Sequence, residues 1–364
     1  MGDEAAYVVQ HLAQQTQLLA SLHWLSSLQV LASIPLSQTV PVQDVADISG
    51  VPYQQLLRLI RTTATAGFLH EPQPGLVRHT ALSAQFVKKP FLTDAVAFLS
   101  DTALPAALQM VTTTRHRIQL PNNKLDMDTQ SELSLSARCK RYPKLKRQVA
   151  AYHRLRQIAF DDSVSEILSR LDWTSLGDAT VVQVGARSTT TARTLLAQHP
   201  GLHFIIQMAE KDGSDVSKQL DSRINIQFRA RGESQRFKAA QVFILYLAGA
   251  SLCSSREDVL AEIAAEMRVH FGVLRANSDA KLLLVAEVLP DPDKAESKIE
   301  AAARSHDLFL MQLANGGLLD MAQLQELLLN VDGDGGSFVV VNQVFSRQGP
   351  TVVLQVRIGD SMTL

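Results

Sequence analysis

The stretch from Val181 to Glu210, VVQVGARSTTTARTLLAQHPGLHFIIQMAE, limits the possible folds of this chain more than any other. Val181, Val182 and Val184 form a short apolar run, and Gly185 ends it. A helical pattern follows over 191–198, and Phe204, Ile205 and Ile206 open a second buried strand. Strand, turn, helix, strand is the first βαβ unit of a doubly wound sheet, and such sheets bind nucleotide cofactors at this turn.

A working cofactor turn needs several glycines, so that the backbone bends sharply and a ligand can approach it. This one has Gly185 alone, followed by Ala186, Arg187 and Ser188. A nucleotide site also wants a carboxylate beyond the second strand to hold the ribose hydroxyls. Here the strand ends Gln207-Met208-Ala209, and the first acid is Glu210. The frame is kept and its site is partly lost; an α/β crossover that never held a ligand explains the turn equally well. We expect no cofactor, and treat Gly185, Ala186, Arg187, Ser188 and Met208 as a vestigial loop.

At 364 residues the chain has room for two domains. A net charge of −1 gives no global electrostatic case for nucleic acid. Cys139 and Cys253 lie far apart without metal-ligand spacing, so neither a metal site nor a disulfide framework is expected. No run of about 18 apolar residues suggests a membrane span, and no signal peptide is expected at the N-terminus.

Residues 6–31 are helical in period, with Val9, Leu12, Leu18, Leu19, Leu22, Leu25 and Leu28 on a wide apolar stripe. Burial inside the chain and burial against a second copy both satisfy that stripe. Residues 36–86 read as a winged helix-turn-helix: a helix, a turn at Ser49-Gly50, a helix carrying Leu56, Leu57, Leu59 and Ile60, a stop at Gly67, a short wing, and a new helix opened by Thr80 and Ser83. Only Arg58, Arg61 and Arg78 are available to face a DNA groove, so packing and dimerisation are favoured over base reading. Residues 88–120 read as helices with Phe91, Val96, Phe98, Leu99, Leu104 and Leu108 as core candidates, and 121–136 reads as a polar, mobile loop. RCKRYPKLKRQVAAYHRLR, 138–156, then carries eight lysines and arginines and no acid. Such a run is a solvated helix face or a docking surface for an acidic partner or a nucleic acid backbone.

From about residue 165 strands are expected at 180–184, 203–207, 224–228, 241–246, 281–287, 337–344 and 351–357. The last two should form an antiparallel hairpin closing one sheet covered on both faces. This divides the chain into a helical and winged-helix dimerisation domain over 1–120, a basic helical linker over 121–165, and an α/β domain over 166–364.

That order resembles the plant and fungal O-methyltransferases that use S-adenosylmethionine. The matching stretches are LLRLIRTTATAGFLHE, VVQVGARS, HPGLHFIIQ, VFILYLAGASLCSSRED, LLLVAEVLP and MQLANGG. The resemblance implies a class I methyltransferase-like, Rossmann-like fold. It also implies a histidine base in a His-Asp-Trp run after the fourth strand, where Ala250, Ser251 and Leu252 stand instead. An acid that would orient the base should follow the run matching Ala314-Asn315-Gly316; Gly317, Leu318 and Leu319 follow it here. Met208 takes the place of the ribose acid. Glycines, ribose acid, base and orienting acid are thus all eroded, and no catalytic residue is assigned. His270 and His306 are expected to be surface or capped histidines.

The stretches LASIPL, VPVQDVADISGVP, TATAGFLHEPQPGLVRHTALSA and DAVAFLSDTALPAAL resemble the transcriptional coactivators of the aflatoxin cluster and of other aromatic polyketide clusters. That resemblance implies a non-catalytic protein of nucleus and cytoplasm. It would bind a zinc-cluster transcription factor and meet DNA only through it; the apolar N-terminal helices favour a homodimer. Arg138, Lys140, Arg141, Lys144, Lys146 and Arg147 are the candidate docking residues. The alternatives are a methyltransferase-like pericyclase or lyase, with Tyr152, His153 or Arg187 near the old site, and an active methyltransferase with a relocated base.

Overall fold

The computed structural model describes residues 2–119, 134–208, 221–249, 251–292, 294–331 and 337–359. The chain forms two compact units, Met1–Leu155 and Arg156–Leu364.

The first unit is mainly helical. In order it contains α1 (Gly2–Ser27), α2 (Val30–Ser33), β1 (Val40–Pro41), α3 (Val42–Ser49), α4 (Tyr53–Ala64), β2 (Leu69–His70), β3 (Leu76–His79), α5 (Ala81–Lys88), α6 (Phe91–Phe98), a π-turn (Leu99–Ala103), α7 (Leu104–Leu108), α8 (Met110–Gln119), α9 (Leu135–Arg141) and α10 (Pro143–Leu168), which continues into the second unit. Glycine shapes two of its corners. Gly50 and Gly67 adopt φ of 66° and 69°, and the next amides, Val51 and Phe68, reach back to the carbonyls of Ala46 and Thr63. These are Schellman caps, which a left-handed glycine closes at little cost. Thr80 and Ser83 form a reciprocal capping box at the start of α5. The strands form a sheet in the order β1-β3-β2. Leu25, Val42, Leu56, Ile60, Leu69 and Val77 fill the core beside it.

One sequence expectation fails here for a physical reason. Leu104 and Leu108 are exposed, not core. The π-turn before them adds a residue to the helical repeat and rotates the following face, so Thr102 and Ala103 point inward instead. The stripe on α1 is buried only toward its C-terminal end: Leu25 is buried, while Val9, Leu12 and Leu28 are exposed. The loop expected over 121–136 lies outside the described residues up to 133, and at its end Ser134 caps α9 by accepting the Ala137 amide. The helical stretch Phe91–Arg115 is, by length and composition, apolar enough to cross a membrane. It carries Asp94, bonded by Arg147, and Asp101, facing Lys144 and His23. It also buries Phe98 against Tyr152. These are the contacts of a helix packed within its own unit.

The second unit holds β4 (Ala179–Val184), α11 (Thr190–Gln198), β5 (Leu202–Met208), β6 (Ile224–Phe228), β7 (Val242–Tyr246), α12 (Arg256–Ala276), β8 (Lys281–Leu289), α13 (Ser297–Ala314), β9 (Leu319–Asp320), α14 (Met321–Leu329), β10 (Phe338–Phe345) and β11 (Thr351–Ile358). Its strands run in the order β10-β11-β8-β7-β4-β5-β6, with β9 beside β8. β6, β5, β4, β7 and β8 are mutually parallel; β11 is antiparallel to β8 and β10 to β11. The continuous apolar runs suit a sheet buried on both sides. Phe243, Leu245, Leu282 and Leu284 face a core shared with Ile263, Met267 and Leu324, whereas Val242, Ile244, Leu283 and Val285 face one shared with Ile167, Leu168 and Leu195. Chain order reverses at β4: β5 and β6 lie on one side, β7 and β8 on the other. The crevice above the C-terminal ends of β4 and β7 is where such sheets place ligands.

Candidate functional site

The crevice is built around Gly185, directly after β4. Its φ is 75° and its amide donates to the Gln207 carbonyl at 2.9 Å, tying the turn to the end of β5. The next residues turn inward or are engaged. Ala186 is buried and Arg187 is exposed. Ser188 donates its hydroxyl to Asp161 on α10 at 2.7 Å and accepts the Thr190 amide at 3.2 Å. Gln157 donates to the other oxygen of Asp161 at 2.7 Å. Burial pushes the Asp161 carboxyl up, and the Ser188 and Gln157 hydrogen bonds oppose that shift. Burial likewise raises the Tyr246 phenol, at the end of β7, which accepts from Gln183 at 3.3 Å.

At the end of β5 the side chains face inward and are satisfied. Met208 is buried and supplies no oxygen for a ribose. Gln207 exchanges reciprocal amide hydrogen bonds of 2.8 and 2.9 Å with Gln235. The first acid, Glu210, lies outside the described residues.

The ground above Gly185 is occupied by the chain itself. After β6, Arg229 donates its amide to the Met208 carbonyl at 3.0 Å. Gly232, at φ 76°, turns the chain. Between them Arg231 projects over the crevice. A methyl group on Gly185 would sit 3.2 Å from the Arg231 Nη2 and 3.1 Å from the Tyr246 carbonyl oxygen. Arg231 Nη1 donates to that same carbonyl at 3.2 Å. Burial lowers the Arg231 pKa, opposed by Glu262 and Glu266. The Arg229 guanidinium donates to Glu266 Oε1 at 2.7 Å, and the Gly232 amide donates to Glu266 Oε2 at 2.7 Å. Loop and α12 are thus locked by one fully buried carboxylate.

These residues do not fit S-adenosylmethionine, the cofactor of this fold. Its sulfonium is cationic, and the groups at the turn, Arg231 with Arg187 beside it, are cationic as well. Ala250 lies outside the described residues, Leu252 is buried, and Ser251 accepts the Cys253 amide. Leu318 donates its amide to Asp307 at 2.7 Å, and Leu319 lies in β9. His270 and His306 are not surface histidines. Both are buried, because their faces of α12 and α13 turn toward the sheet side. His270 bonds the Glu266 carbonyl of its own helix at 2.9 Å, packs against Phe243, and burial lowers its pKa.

The basic run lies on α9 and the first half of α10. Arg138 is half-buried; Lys140, Arg141, Lys144, Lys146 and Arg147 are exposed. Arg147 forks onto both oxygens of Asp94 at 3.0 Å, and Lys144 lies 3.6 Å from Asp101. In the helix-turn-helix region Arg61 is engaged, bonding Glu71 at 2.8 and 3.0 Å. Arg231, Asp161 and Gln235 escaped the sequence reading. The one available signal was the RARGE run after the third α/β strand, two arginines and a glycine at a strand end.

No family model matches the chain. Three curated relatives are similar over nearly all of it. The chain is 38% identical to the monodictyphenone cluster transcriptional coactivator of Emericella nidulans, covering 95% of this chain and 83% of that one. It is 40% identical to the trypacidin cluster transcriptional coactivator of Aspergillus fumigatus, covering 97% and 82%. It is 36% identical to the aflatoxin cluster transcriptional coactivator of Aspergillus parasiticus, covering 98% and 86%. Among solved structures it resembles the riboflavin-derivative dimethyltransferase RosA of Streptomyces davawensis, with a TM-score of 0.73 at 14% identity over 97% of this chain and 99% of that one. It also resembles the mitomycin 7-O-methyltransferase MmcR, with a TM-score of 0.67 at 17% identity over 98% of both chains. These two likenesses establish a class I methyltransferase-like fold.

Proposed function

The chain belongs to the family of fungal cluster transcriptional coactivators, and from that membership we propose that it is a methyltransferase fold working as a coactivator without methyl transfer. It would act in the nucleus on an aromatic polyketide gene cluster, through a zinc-cluster transcription factor, with a cytoplasmic pool. The observation that carries the reading is the crevice: Arg231 lies over Gly185, Met208 stands where a ribose acid is needed, and Ser188 is bonded to Asp161. The contact with DNA would be indirect, because Arg61 on α4 is paired with Glu71. The transcription factor would dock on Arg138, Lys140, Arg141, Lys144, Lys146 and Arg147. A homodimer would cover the exposed Tyr7, Val8, Val9 and Leu12 of α1. The division into a dimerisation domain over 1–120, a basic linker over 121–165 and an α/β domain over 166–364 remains part of this proposal.

The test has two arms. Purified chain is mixed with the cluster's regulator and co-purification is scored; it is also incubated with methyl-labelled S-adenosylmethionine and extracts of the cluster's intermediates. Co-purification without label transfer is expected. Label transfer to an intermediate would return the chain to the enzymes, and turnover of an intermediate by the chain alone would favour the pericyclase.

A further inference from the structure

The eroded cofactor turn leaves a physical question. An α/β unit with a hole above its switch point would expose backbone donors and the ends of buried strands. Unpaired polar groups in such a place cost about 1–3 kcal/mol each. The structure points to how this chain meets that cost.

Arg231 reaches the turn from the opposite side of the crevice: its Nη1 bonds the Tyr246 carbonyl at 3.2 Å, and its Nη2 would lie 3.2 Å from a Gly185 β-carbon. Its side chain is 18% exposed, and Glu262 of α12 lies 3.6 Å from its Nε. The loop that carries it is not free to swing away. It is held at Arg229 by the Met208 carbonyl and Glu266, at Gly232 by Glu266, and at Gln235 by Gln207. Gly232 itself is close-packed, since a β-carbon there would meet that of Ala265 at 3.2 Å. A ligand entering above Gly185 must therefore displace a guanidinium from a carbonyl and a carboxylate, and a sulfonium nucleoside must do so against like charge.

We propose that Arg231 is a built-in plug of the nucleotide crevice, a guanidinium that takes the place of a cofactor between the ends of β4 and β7 and closes the site to sulfonium nucleosides. The proposal rests on the cofactor-free reading above and adds the residue that enforces it. It makes Arg231 both a structural bond and a gate. Removing it should weaken the α/β unit and at the same time admit the product nucleoside without a sulfonium charge, S-adenosylhomocysteine, more readily than S-adenosylmethionine.

The test is thermal unfolding of the full chain with and without 1 mM ligand, about a hundredfold above a 10 μM site and enough to shift the midpoint by several degrees. The wild type is expected to show no shift with either nucleoside. Arg231→Ala is expected to melt lower and to gain at least about 2 °C with S-adenosylhomocysteine, and less with S-adenosylmethionine. Arg236→Ala, which removes an exposed arginine of the same loop, should behave as wild type. Arg231→Met keeps the apolar stem and drops the charge, and serves if the alanine variant does not fold. Hydrogen exchange of wild-type amides 185–191 gives a third reading, unchanged by S-adenosylhomocysteine if the plug holds. A silent wild type with equally silent Arg231 variants of wild-type stability overturns the plug and leaves the cofactor-free reading standing. A wild type that binds either nucleoside overturns both.

Discussion

Arg229 and Glu266 form an ion pair of 2.7 Å in which the two side chains are 6% and 0% exposed. Glu266 also accepts the Gly232 amide, and Arg229 also donates to the Glu233 carbonyl. One carboxylate therefore fixes the loop that carries Arg231 to the helix beneath it.

Removing one partner of this pair leaves a buried charge without its counterion. Glu266→Ala should destabilise the chain by roughly 3–5 kcal/mol, whereas replacing both members with methionine should cost much less. Chemical denaturation of the two variants measures the difference. Equal losses would mean that Glu266 acts through packing alone.

Acid should weaken the fold partly through His270. Burial holds its folded pKa below the ordinary 6.5, so the unfolded chain binds the extra proton first. Stability is then complete above pH 6.5 and falls as pH drops toward the folded value, by at most about 1.4 kcal/mol per pH unit for one group. His79, also lowered by burial, adds in the same direction. Asp161 and Glu287, raised chiefly by burial, act oppositely: their contribution is present below the unfolded carboxyl pKa and is lost as pH rises through the folded one. His270→Phe should flatten the loss of stability between pH 6.5 and 5 relative to wild type, as read from unfolding midpoints across that range. An unchanged slope would assign the acid response elsewhere.

The basic surface separates into two classes of residue. Lys140 and Lys146 are exposed, with no ion pair among the described residues, while Arg147 is forked onto Asp94. Lys140→Glu with Lys146→Glu should weaken regulator binding at least about tenfold and leave the melting temperature unchanged, as surface charge changes usually do. Arg147→Glu should weaken binding and also cost up to about 1 kcal/mol of stability. Binding assays paired with melting curves separate these effects. Full binding by the double lysine variant would remove this surface as the docking site.

The exposed apolar turn of α1 predicts self-association. Val8 and Leu12, 57% and 61% exposed, lie one helical turn apart. Val8→Glu with Leu12→Glu should convert a dimer to a monomer in light scattering, with little change in the spectrum of the folded chain. A wild type that is monomeric at micromolar concentration would leave that stripe without a second copy to cover it.

Much of the second unit could be read from residues alone. All seven strands expected there form, because apolar runs of five to nine residues bounded by turns have few other uses in a chain of this length. The short β9 was missed, since two residues carry no periodicity. In the first unit, the caps at Gly50, Gly67 and Thr80 are local, so their residues announce them. Leu104 and Leu108 were misplaced because a π-turn leaves no mark in hydrophobic spacing. The single glycine of the turn, Gly185, and Met208 at the end of β5 are likewise plain in the sequence. What fills the crevice needed the tertiary structure. Arg231 is 46 residues beyond Gly185 and Glu266 lies 35 beyond Arg231. Only the folding of β4, β6, β7 and α12 onto one another brings a guanidinium to the turn, because contact between such distant residues is set by packing and not by spacing.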